Sequence, residues 1–184
     1  MMLDPLILKG ISIGFGLLFL LAAIHKLSTA QQFRVVLEEY QVMPQALAGP
    51  VARVVPLLEL LLSIGWFAGY RPEQVAISSA ALLAVYTSAI GINLLRGRIH
   101  IGCGCGVAGS ADDDQQLSSG LLIRNSALIG LALVATVPTT SRSFSVIDYV
   151  TLGTALLAGV LLYLAANQLL ANGAAIETWR NKHD

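Results

Sequence analysis

The sequence predicts an all-α, multi-pass membrane protein. Of its 184 residues, 55% are hydrophobic and 12% are charged, and that charged share is about half of what a soluble domain carries. Five segments approach the roughly 20 apolar residues that a transmembrane helix needs. We therefore expect a single transmembrane helical domain over residues 1–172, followed by a polar tail over residues 173–184.

The predicted transmembrane segments are separated by short polar connections. They run over Leu6–Ile24, Val51–Tyr70, Val75–Leu95, Leu121–Val137 and Ile147–Leu170. The first segment ends without the small-residue cleavage site of a signal peptide, so we expect it to be retained. Its glycines, Gly10, Gly14 and Gly16, form a small-residue face that lets helices approach closely. Trp66 and Tyr70 fit an aromatic belt at the membrane surface.

The connection between the first two segments predicts an interfacial amphipathic helix. Its hydrophobic residues recur at helical spacing: Phe33, Val36, Leu37, Tyr40 and Met43. Pro44 is expected to end it. Two interpretations are open and compatible: the helix lies in the lipid surface, or it packs over the mouth of the helical bundle.

The chain has only two cysteines, Cys103 and Cys105, in a glycine-rich connection between the third and fourth segments. A disulfide across one intervening residue closes a small, strained ring. Strained disulfides of this kind are easily reduced and tend to be catalytic. Gly104 supplies the backbone freedom that such a ring demands. The pair therefore predicts thiol–disulfide exchange at a membrane face.

Two alternatives to redox exchange are open. Two thiolates also suit a soft metal ion such as copper, zinc or mercury, and His100 is the nearest further ligand to Cys103 and Cys105. The chain would then be a soft-metal binding or transport protein. It could also be a non-catalytic assembly factor. Nucleic acid is not an expected partner, because the formal net charge is zero and no basic patch is present.

Glu59 is a carboxylate inside a predicted transmembrane segment, where ionisable groups are costly and usually mark function. His25 and Lys26, at the end of the first segment, are its candidate partners. Two arrangements are open. Glu59 is either part of a buried pair or, if Pro56 begins the second helix, an interfacial residue. We consider Glu59, His25 and Lys26 as supporting residues or proton-transfer candidates.

Further polar residues flank the cysteine connection. Tyr86 and Asn93 lie two helical turns apart on one face of the third segment, where they could line a polar pocket or hydrogen-bond between helices. Arg96, Arg98 and His100 precede the cysteines and could favour a thiolate electrostatically. His100 is therefore a further supporting candidate.

The order of several short motifs resembles a known family. These motifs are His25-Lys26-Leu27, Phe33…Tyr40…Pro44, Pro56-x-x-Glu59, Asn93-Leu94-Leu95-Arg96-Gly97 and Cys103-Gly104-Cys105-Gly106. Over about the first 130 residues the chain resembles the MauE branch of the DoxX-like membrane protein family. Each motif is short, and the resemblance is carried by their order.

The resemblance implies both an architecture and a partner. MauE-type proteins are linked to maturation of methylamine dehydrogenase beside a thioredoxin-like protein, MauD. Their architecture is similar to that of DsbB and vitamin K epoxide reductase. This implies a four-transmembrane-helix bundle with an added C-terminal transmembrane helix, and the cysteine connection at the bundle mouth.

By the same resemblance, Cys103 and Cys105 would be the catalytic residues of a membrane oxidoreductase. They would exchange electrons with a thioredoxin-fold, MauD-like partner and pass them to a quinone, supporting disulfide formation in exported proteins. Tyr86 and Asn93 are then candidates for binding the quinone. The lipid bilayer is the surrounding partner.

Two arguments place the cysteine connection on opposite sides of the cell (inner) membrane. With five transmembrane segments, about eight of the 11 Lys and Arg residues lie on the side of Cys103 and Cys105. The positive-inside rule puts that side in the cytoplasm. Oxidative maturation requires the outer side, where disulfides persist.

Overall fold

The computed structural model describes residues 2–98, 119–140 and 142–180, with side chains as far as Leu169. Its helices are α1 (Pro5–Ser28), α2 (Ala30–Tyr40), α3 (Gln45–Ala68), α4 (Pro72–Leu95), α5 (Ser119–Val134) and α6 (Val146–Arg180). The all-α prediction is confirmed. Helix α6 continues through residues 173–180, so the first part of the predicted polar tail is helical.

Four helices are long and apolar enough to cross a membrane: α1, α3, α4 and the Val146–Leu169 part of α6, each of 24 residues. At about 1.5 Å per residue such a helix exceeds the roughly 30 Å of a bilayer core. Helix α5 is apolar but has 16 residues, or about 24 Å. It is shorter than the predicted Leu121–Val137 segment because the chain leaves the helix for a turn after Val134.

Helix α3 begins earlier than predicted. It starts at Gln45, directly after Pro44, and continues through both Pro50 and Pro56. A proline removes one backbone hydrogen bond, but packed apolar helices tolerate this when neighbouring groups compensate. Because Pro56 lies inside the helix and is fully buried, it does not mark the start of the second transmembrane segment.

Helices α1, α3, α4 and α5 share one hydrophobic core. Its central aromatic residues are Phe15, Phe19 and Trp66, and the rings of Phe15 and Trp66 stack with centroids 5.4 Å apart. The Trp66 indole donates a hydrogen bond to Ser79 Oγ at 3.0 Å. The assignment of Trp66 to an aromatic belt is therefore wrong, since this ring is 2% exposed, whereas Tyr70 is exposed.

Helix α2 packs over one end of this core. Phe33 and Tyr40 are buried, and Tyr40 clusters with Ile90 of α4 and Leu121 of α5. The helix ends at Tyr40 rather than at Pro44, because Gln41 takes a left-handed conformation with φ 47°. Of the two interpretations of the amphipathic segment, packing over the bundle is the one that these contacts support.

The described connections gather at two ends of the bundle. Helices α1 and α3 are antiparallel: Phe15, early in α1, contacts Trp66, late in α3, whereas Lys26 at the end of α1 contacts Glu59 in the middle of α3. One end, the α2 end, contains residues 29–44, residues 96–98 and the start of α5. The other, the N-terminal end, contains residues 2–4, 69–71 and 135–140. Helix α6 packs against α1.

An Arg142 bridge ties the N-terminal end together. The Arg142 guanidinium bonds Asp4 at 3.0 Å and Asp148 at 2.8 Å, and Leu3 pairs with Pro138 and Thr140 through backbone hydrogen bonds. The Leu6 backbone N–H and the Arg142 guanidinium hold the pKa of the Asp4 carboxyl below its ordinary value. The two carboxylates raise the pKa of Arg142. This bridge joins the chain before α1 to the start of α6.

Helices α1 and α3 approach closely at Gly16. The Ser63 hydroxyl donates a hydrogen bond to the Gly16 carbonyl oxygen at 2.8 Å. A Cβ at Gly16 would lie 2.8 Å from the Phe67 ring, whereas a Cβ at Gly14 would have no neighbour within 4 Å. Gly16, and not Gly14, is the position where the small-residue face permits close packing.

Gly16→Ala should destabilise the bundle by about 1 kcal/mol relative to Gly14→Ala, the low end of the cost of overpacking, because the contact is with the half-exposed Phe67 ring. The added methyl group must displace the Phe67 ring or separate α1 from α3. Thermal unfolding of purified protein in detergent measures the effect. Gly14→Ala, on the same helix, is the matched control and should keep or slightly raise the melting temperature, because alanine is the better helix former and has room there. Equal melting temperatures for the two variants would contradict the close approach.

The Arg142 bridge should make stability depend on pH. Because the folded pKa of Asp4 is lowered, its contribution is present above the unfolded pKa of about 4 and is lost as the pH falls through the folded value. Asp4→Asn should lower the melting temperature at pH 7, and this difference should shrink toward pH 3. Melting curves of both proteins from pH 7 to pH 3 test this. A difference that does not change with pH would argue against the bridge.

Candidate functional site

The catalytic candidates Cys103 and Cys105, together with His100, lie outside the described residues, so their roles stay predictions. The structure describes both ends of the segment that contains them. It leaves α4 after Leu95 and enters α5 at Ser119. Both points belong to the α2 end, so the connection that contains the two cysteines begins and ends there.

Two arginines anchor the start of this connection. Arg96 donates a hydrogen bond to the Gln41 carbonyl oxygen at 3.2 Å, and Arg98 to the Gln41 side-chain oxygen at 2.7 Å. Gln41 is the residue that ends α2. Gln41 is neutral, and no carboxylate among the described residues forms an ion pair with either arginine. The two arginines therefore tie the end of α4 to α2 and place two cationic groups just before the connection.

Lys26 and Glu59 form an ion pair inside the bundle. The Lys26 ammonium donates a hydrogen bond to Glu59 Oε1, and the two residues are 3% and 1% exposed. Of the two arrangements open for Glu59, the structure shows the buried pair. Pro56 precedes Glu59 by one helical turn inside α3, so Glu59 is far from the start of its helix.

Aromatic residues enclose this ion pair. The Tyr86 hydroxyl donates to the same Glu59 Oε1 at 2.8 Å. The Lys26 ammonium lies 5.0 Å from the centre of the Tyr86 ring and 5.4 Å from that of Phe33, within the range of cation–π attraction. The predicted residues Lys26, Glu59 and Tyr86 are therefore brought together, and Phe33 covers them from α2.

The second carboxylate oxygen of Glu59 lacks a hydrogen bond. Within the described part of the chain, Oε2 is buried and has no partner. Leaving a buried charged acceptor unsatisfied costs free energy, of the order of 1–3 kcal/mol or more. Such a group is suited to receive a proton or a hydrogen-bond donor from outside the described residues.

Asn93 is separate from this cluster. It is fully buried, its amide nitrogen donates to the Ala89 carbonyl oxygen at 3.0 Å, and its Oδ1 lacks a partner among the described residues. It lies two turns beyond Tyr86 toward the α2 end, about 10 Å along the helix. The structure thus brings Tyr86 to the Glu59 cluster and leaves Asn93 elsewhere on the same helix.

A small cavity of about 40 Å³ adjoins the ion pair. This volume has room for water or for part of a ligand. Its lining residues are Leu18, Phe19, Ala22, Lys26, Glu59, Leu83, Tyr86, Arg124, Asn125, Leu128 and Tyr163. Three of the polar lining residues are not among the site residues predicted from the sequence: Arg124, Asn125 and Tyr163.

Arg124 adds a second cation to the cavity. Its guanidinium bonds the side-chain oxygens of Asn167 at 2.8 Å and Asn125 at 3.3 Å, and lies 5.8 Å from the centre of the Tyr163 ring. No carboxylate in residues 2–98, 119–140 or 142–169 pairs with it. Arg124 is an ionisable residue in an apolar segment, and the rule that identified Glu59 could have found it.

His25 does not join the cluster. It is half-buried, and its backbone carbonyl accepts hydrogen bonds from the Thr29 nitrogen at 3.0 Å and the Thr29 hydroxyl at 2.9 Å. Of the two candidate partners for Glu59, the structure selects Lys26, because one residue along a helix turns the side chain by about 100°. A role for His25 in proton transfer stays a prediction.

The described residues hold no metal-binding cluster of three or more His, Cys, Asp or Glu side chains. Around the cavity they offer two cations and one carboxylate, a donor set that does not favour a metal ion. The soft-metal hypothesis therefore depends on Cys103, Cys105 and His100 alone.

Four long apolar helices and an ion pair buried between them indicate a multi-pass α-helical membrane protein with an internal polar site. The family model described as "Methylamine utilisation protein MauE" matches residues 4–138. The chain therefore belongs to the MauE family, and the resemblance read from its motifs is confirmed. No solved structure matches the chain.

Curated relatives agree with this assignment. The chain is 35% identical to the methylamine utilization protein MauE of Paracoccus denitrificans, over 95% of this chain and 92% of that protein. It is 30% identical to the MauE protein of Methylophilus methylotrophus, over 91% of this chain and 87% of that protein. A third relative, the MauE protein of Paracoccus versutus, is 33% identical over 88% of this chain and 84% of that protein.

A double-mutant cycle tests the buried pair. Lys26→Met or Glu59→Leu alone should destabilise the protein by about 3–5 kcal/mol, because each leaves an uncompensated buried charge. The double variant should recover much of this loss. Equilibrium unfolding in mixed detergent micelles measures the free energy of unfolding of the two single variants and of the double variant. Additive losses would contradict a direct interaction.

The exposed pair Arg34–Glu38 on α2 is the matched control for this cycle, with N–O distance 2.8 Å. Disrupting it with Arg34→Ala should cost no more than about 1 kcal/mol. The contrast separates the effect of burial from the effect of removing any ion pair.

Proposed function

We propose that this protein is a membrane thiol–disulfide oxidoreductase that acts in methylamine utilisation, supporting the maturation of methylamine dehydrogenase. Its relatives carry the description methylamine utilization protein. The observation that carries the redox proposal is an arrangement at the α2 end: the chain's only two cysteines connect α4 to α5, and the Lys26–Glu59–Tyr86 cluster lies under α2 at that end.

The proposed exchange moves two electrons from the dithiol of a partner protein to the disulfide of this chain. A thiolate of a thioredoxin-fold, MauD-like partner attacks the disulfide of Cys103 and Cys105, forming a mixed disulfide and releasing one cysteine of this chain as a thiolate. The second partner thiol resolves the mixed disulfide. The partner leaves as a disulfide, and Cys103 and Cys105 end as two thiols that have received two electrons and two protons.

Reoxidation of the pair requires an electron acceptor, and we propose a membrane quinone. A quinone supplies the capacity to take up two electrons and two protons. The cavity fits such a group chemically. Lys26 and Arg124 offer donors for carbonyl oxygens, and the free Oε2 of Glu59 offers an acceptor for a hydroxyl group. Tyr86 is retained from the predicted quinone-binding residues, whereas Asn93 does not line this cavity.

Glu59 is the proposed proton carrier. Its Oε1 accepts hydrogen bonds from Lys26 and Tyr86, and its Oε2 has no hydrogen-bond partner among the described residues. His25 and His100 are secondary candidates for carrying protons to the α2 end.

We propose that all five apolar helices cross the inner membrane, with α5 spanning it where the bundle thins the bilayer. Oxidative maturation then requires the α2 end on the outer face. The excess of basic residues at that end favours the opposite orientation. Two of these basic residues, Lys26 and Arg124, line the internal cavity and do not lie in a loop. The excess of loop charges that the positive-inside rule counts is therefore smaller.

The exchange proposal is tested by trapping the mixed disulfide. When Cys103→Ser and Cys105→Ser are each expressed with the partner, one of the two should accumulate a reductant-sensitive covalent complex on a non-reducing gel. In the reverse of the proposed exchange, its remaining thiolate attacks the disulfide of the oxidised partner, and the second cysteine of this chain, which would release the partner again, is missing. The double variant should form no complex and should lose maturation activity. Arg34→Ala, which breaks the exposed ion pair on α2, serves as the folded control.

Two outcomes would contradict the proposal. Absence of a complex with both single variants would remove the exchange step, and full activity of the double variant would favour a non-catalytic assembly factor. One equivalent of copper, zinc or mercury bound by the wild type, and lost from the double variant, would favour the soft-metal alternative.

A further inference from the structure

The cavity beside the buried ion pair has the volume of a small water cluster. It measures about 40 Å³, and one water molecule needs roughly 10–15 Å³ of such space together with two to four polar partners. The cavity therefore has room for about two or three water molecules. Its polar lining comes from five helices: Lys26 of α1, Glu59 of α3, Tyr86 of α4, Arg124 and Asn125 of α5, and Tyr163 of α6.

Two of these polar groups have unused hydrogen-bonding capacity. Glu59 Oε2 is a buried acceptor that has no donor among the described residues. A guanidinium has five N–H donors, and in the described part of the chain Arg124 makes three hydrogen bonds, two to Asn125 and one to Asn167. Both groups line the same cavity, and no direct ion pair joins them. The free acceptor and the free donors therefore surround one small space.

Water supplies what each group lacks. Lys26 and Tyr86 bond the other oxygen of Glu59, so Oε2 gains from any donor that the cavity can hold. A water molecule donates to a carboxylate and accepts from a guanidinium, and such a bridge is nearly as favourable as a direct hydrogen bond. A metal cation in this space would be repelled by Lys26 and Arg124, and an anion would be repelled by Glu59.

We propose that the cavity binds a cluster of internal water molecules that bridges Glu59 Oε2 to the Arg124 guanidinium. Arg124 is then a positioning residue, because through water it holds the oxygen of Glu59 that Lys26 and Tyr86 leave free. The bridge also links α5 to the polar cluster that α1, α3 and α4 form. This inference does not rest on the proposed function, because it involves neither the cysteines nor a quinone.

Internal water is detected by brief X-ray irradiation of the protein in lipid nanodiscs. The X-rays convert water into hydroxyl radicals, which oxidise adjacent side chains, and mass spectrometry locates the oxidised residues. Phe19 and Trp66 form a matched pair, because they are 1% and 2% exposed but Phe19 lines the cavity and Trp66 does not. Although tryptophan is the more reactive side chain, we expect several-fold more oxidation of Phe19. Equal or lower oxidation of Phe19 would overturn the proposal.

Variants of the cavity lining test where this water lies. Ala22→Leu enlarges a lining side chain and should lower Phe19 oxidation several-fold. Gly14→Ala, on the same helix but outside the cavity lining, should leave it unchanged. Arg124→Gln should lower Phe19 oxidation because the water loses a charged partner, and Arg124→Lys should restore part of it. Melting temperatures identify any variant that has lost its fold, and unchanged oxidation in folded Arg124→Gln would contradict the role of Arg124.

A double-mutant cycle tests the bridge itself. Glu59→Gln and Arg124→Gln should each lower the melting temperature, and the double variant should lose less than the sum, because either change alone already breaks the bridge. Glu59→Gln combined with Arg142→Gln, which removes a guanidinium at the N-terminal end, is the control and should be additive. Additive losses for Glu59 and Arg124 would overturn the bridge. If mixed disulfides are trapped but the cavity is dry, this inference fails and the exchange proposal stands.

Discussion

The ion pair between Lys26 and Glu59 constrains how the helices of this protein can pack. An unpaired charge between apolar helices would carry a penalty of several kcal/mol, so the fold must keep the end of α1 beside the middle of α3. Tyr86 extends the constraint to α4 through its hydrogen bond to Glu59, and Phe33 extends it to α2 through the Lys26 ammonium. The polar cluster thus fixes the relative positions of α1, α2, α3 and α4.

The two ends of the molecule differ in chemical character. The N-terminal end is held by ion pairs of Arg142 with Asp4 and Asp148 at the surface. The α2 end holds its charges inside the bundle, next to a cavity, and carries the connection with the two cysteines. The surface bridge and the internal charges therefore lie toward opposite ends of the bundle, and the aromatic stack of Phe15 and Trp66 lies between them.

The sequence predicted those features that depend on local composition. Long apolar runs identified the helices, and helical spacing identified α2. The rule that intramembrane charges are functional identified Glu59, with His25 and Lys26 as its two candidate partners. Features set by tertiary packing were not predicted. The length of α5 and the passage of α3 through its prolines depend on neighbouring helices, and so does the burial of Trp66.

The candidate site, too, was predicted only where it depends on local sequence, and not where it depends on tertiary packing. Lys26, Glu59 and Tyr86 lie on three helices, and their meeting follows from the antiparallel order of α1, α3 and α4. Arg124 and Tyr163 come from α5 and α6, whose rotation about their own axes no sequence pattern specified. Asn93 shares a helix face with Tyr86, but helices of the bundle cover that face differently at the two levels, so spacing alone could not place both residues at one cavity.

The most direct test of the account concerns the state and the membrane side of Cys103 and Cys105. Intact cells are treated with a membrane-impermeant maleimide before and after mild reduction, and because the chain has no other cysteine, any label reports on this pair. An outward-facing catalytic disulfide predicts no labelling before reduction and labelling of both cysteines after it. Labelling without reduction, or labelling that appears only after the cells are lysed, would contradict an oxidised pair on the outer face.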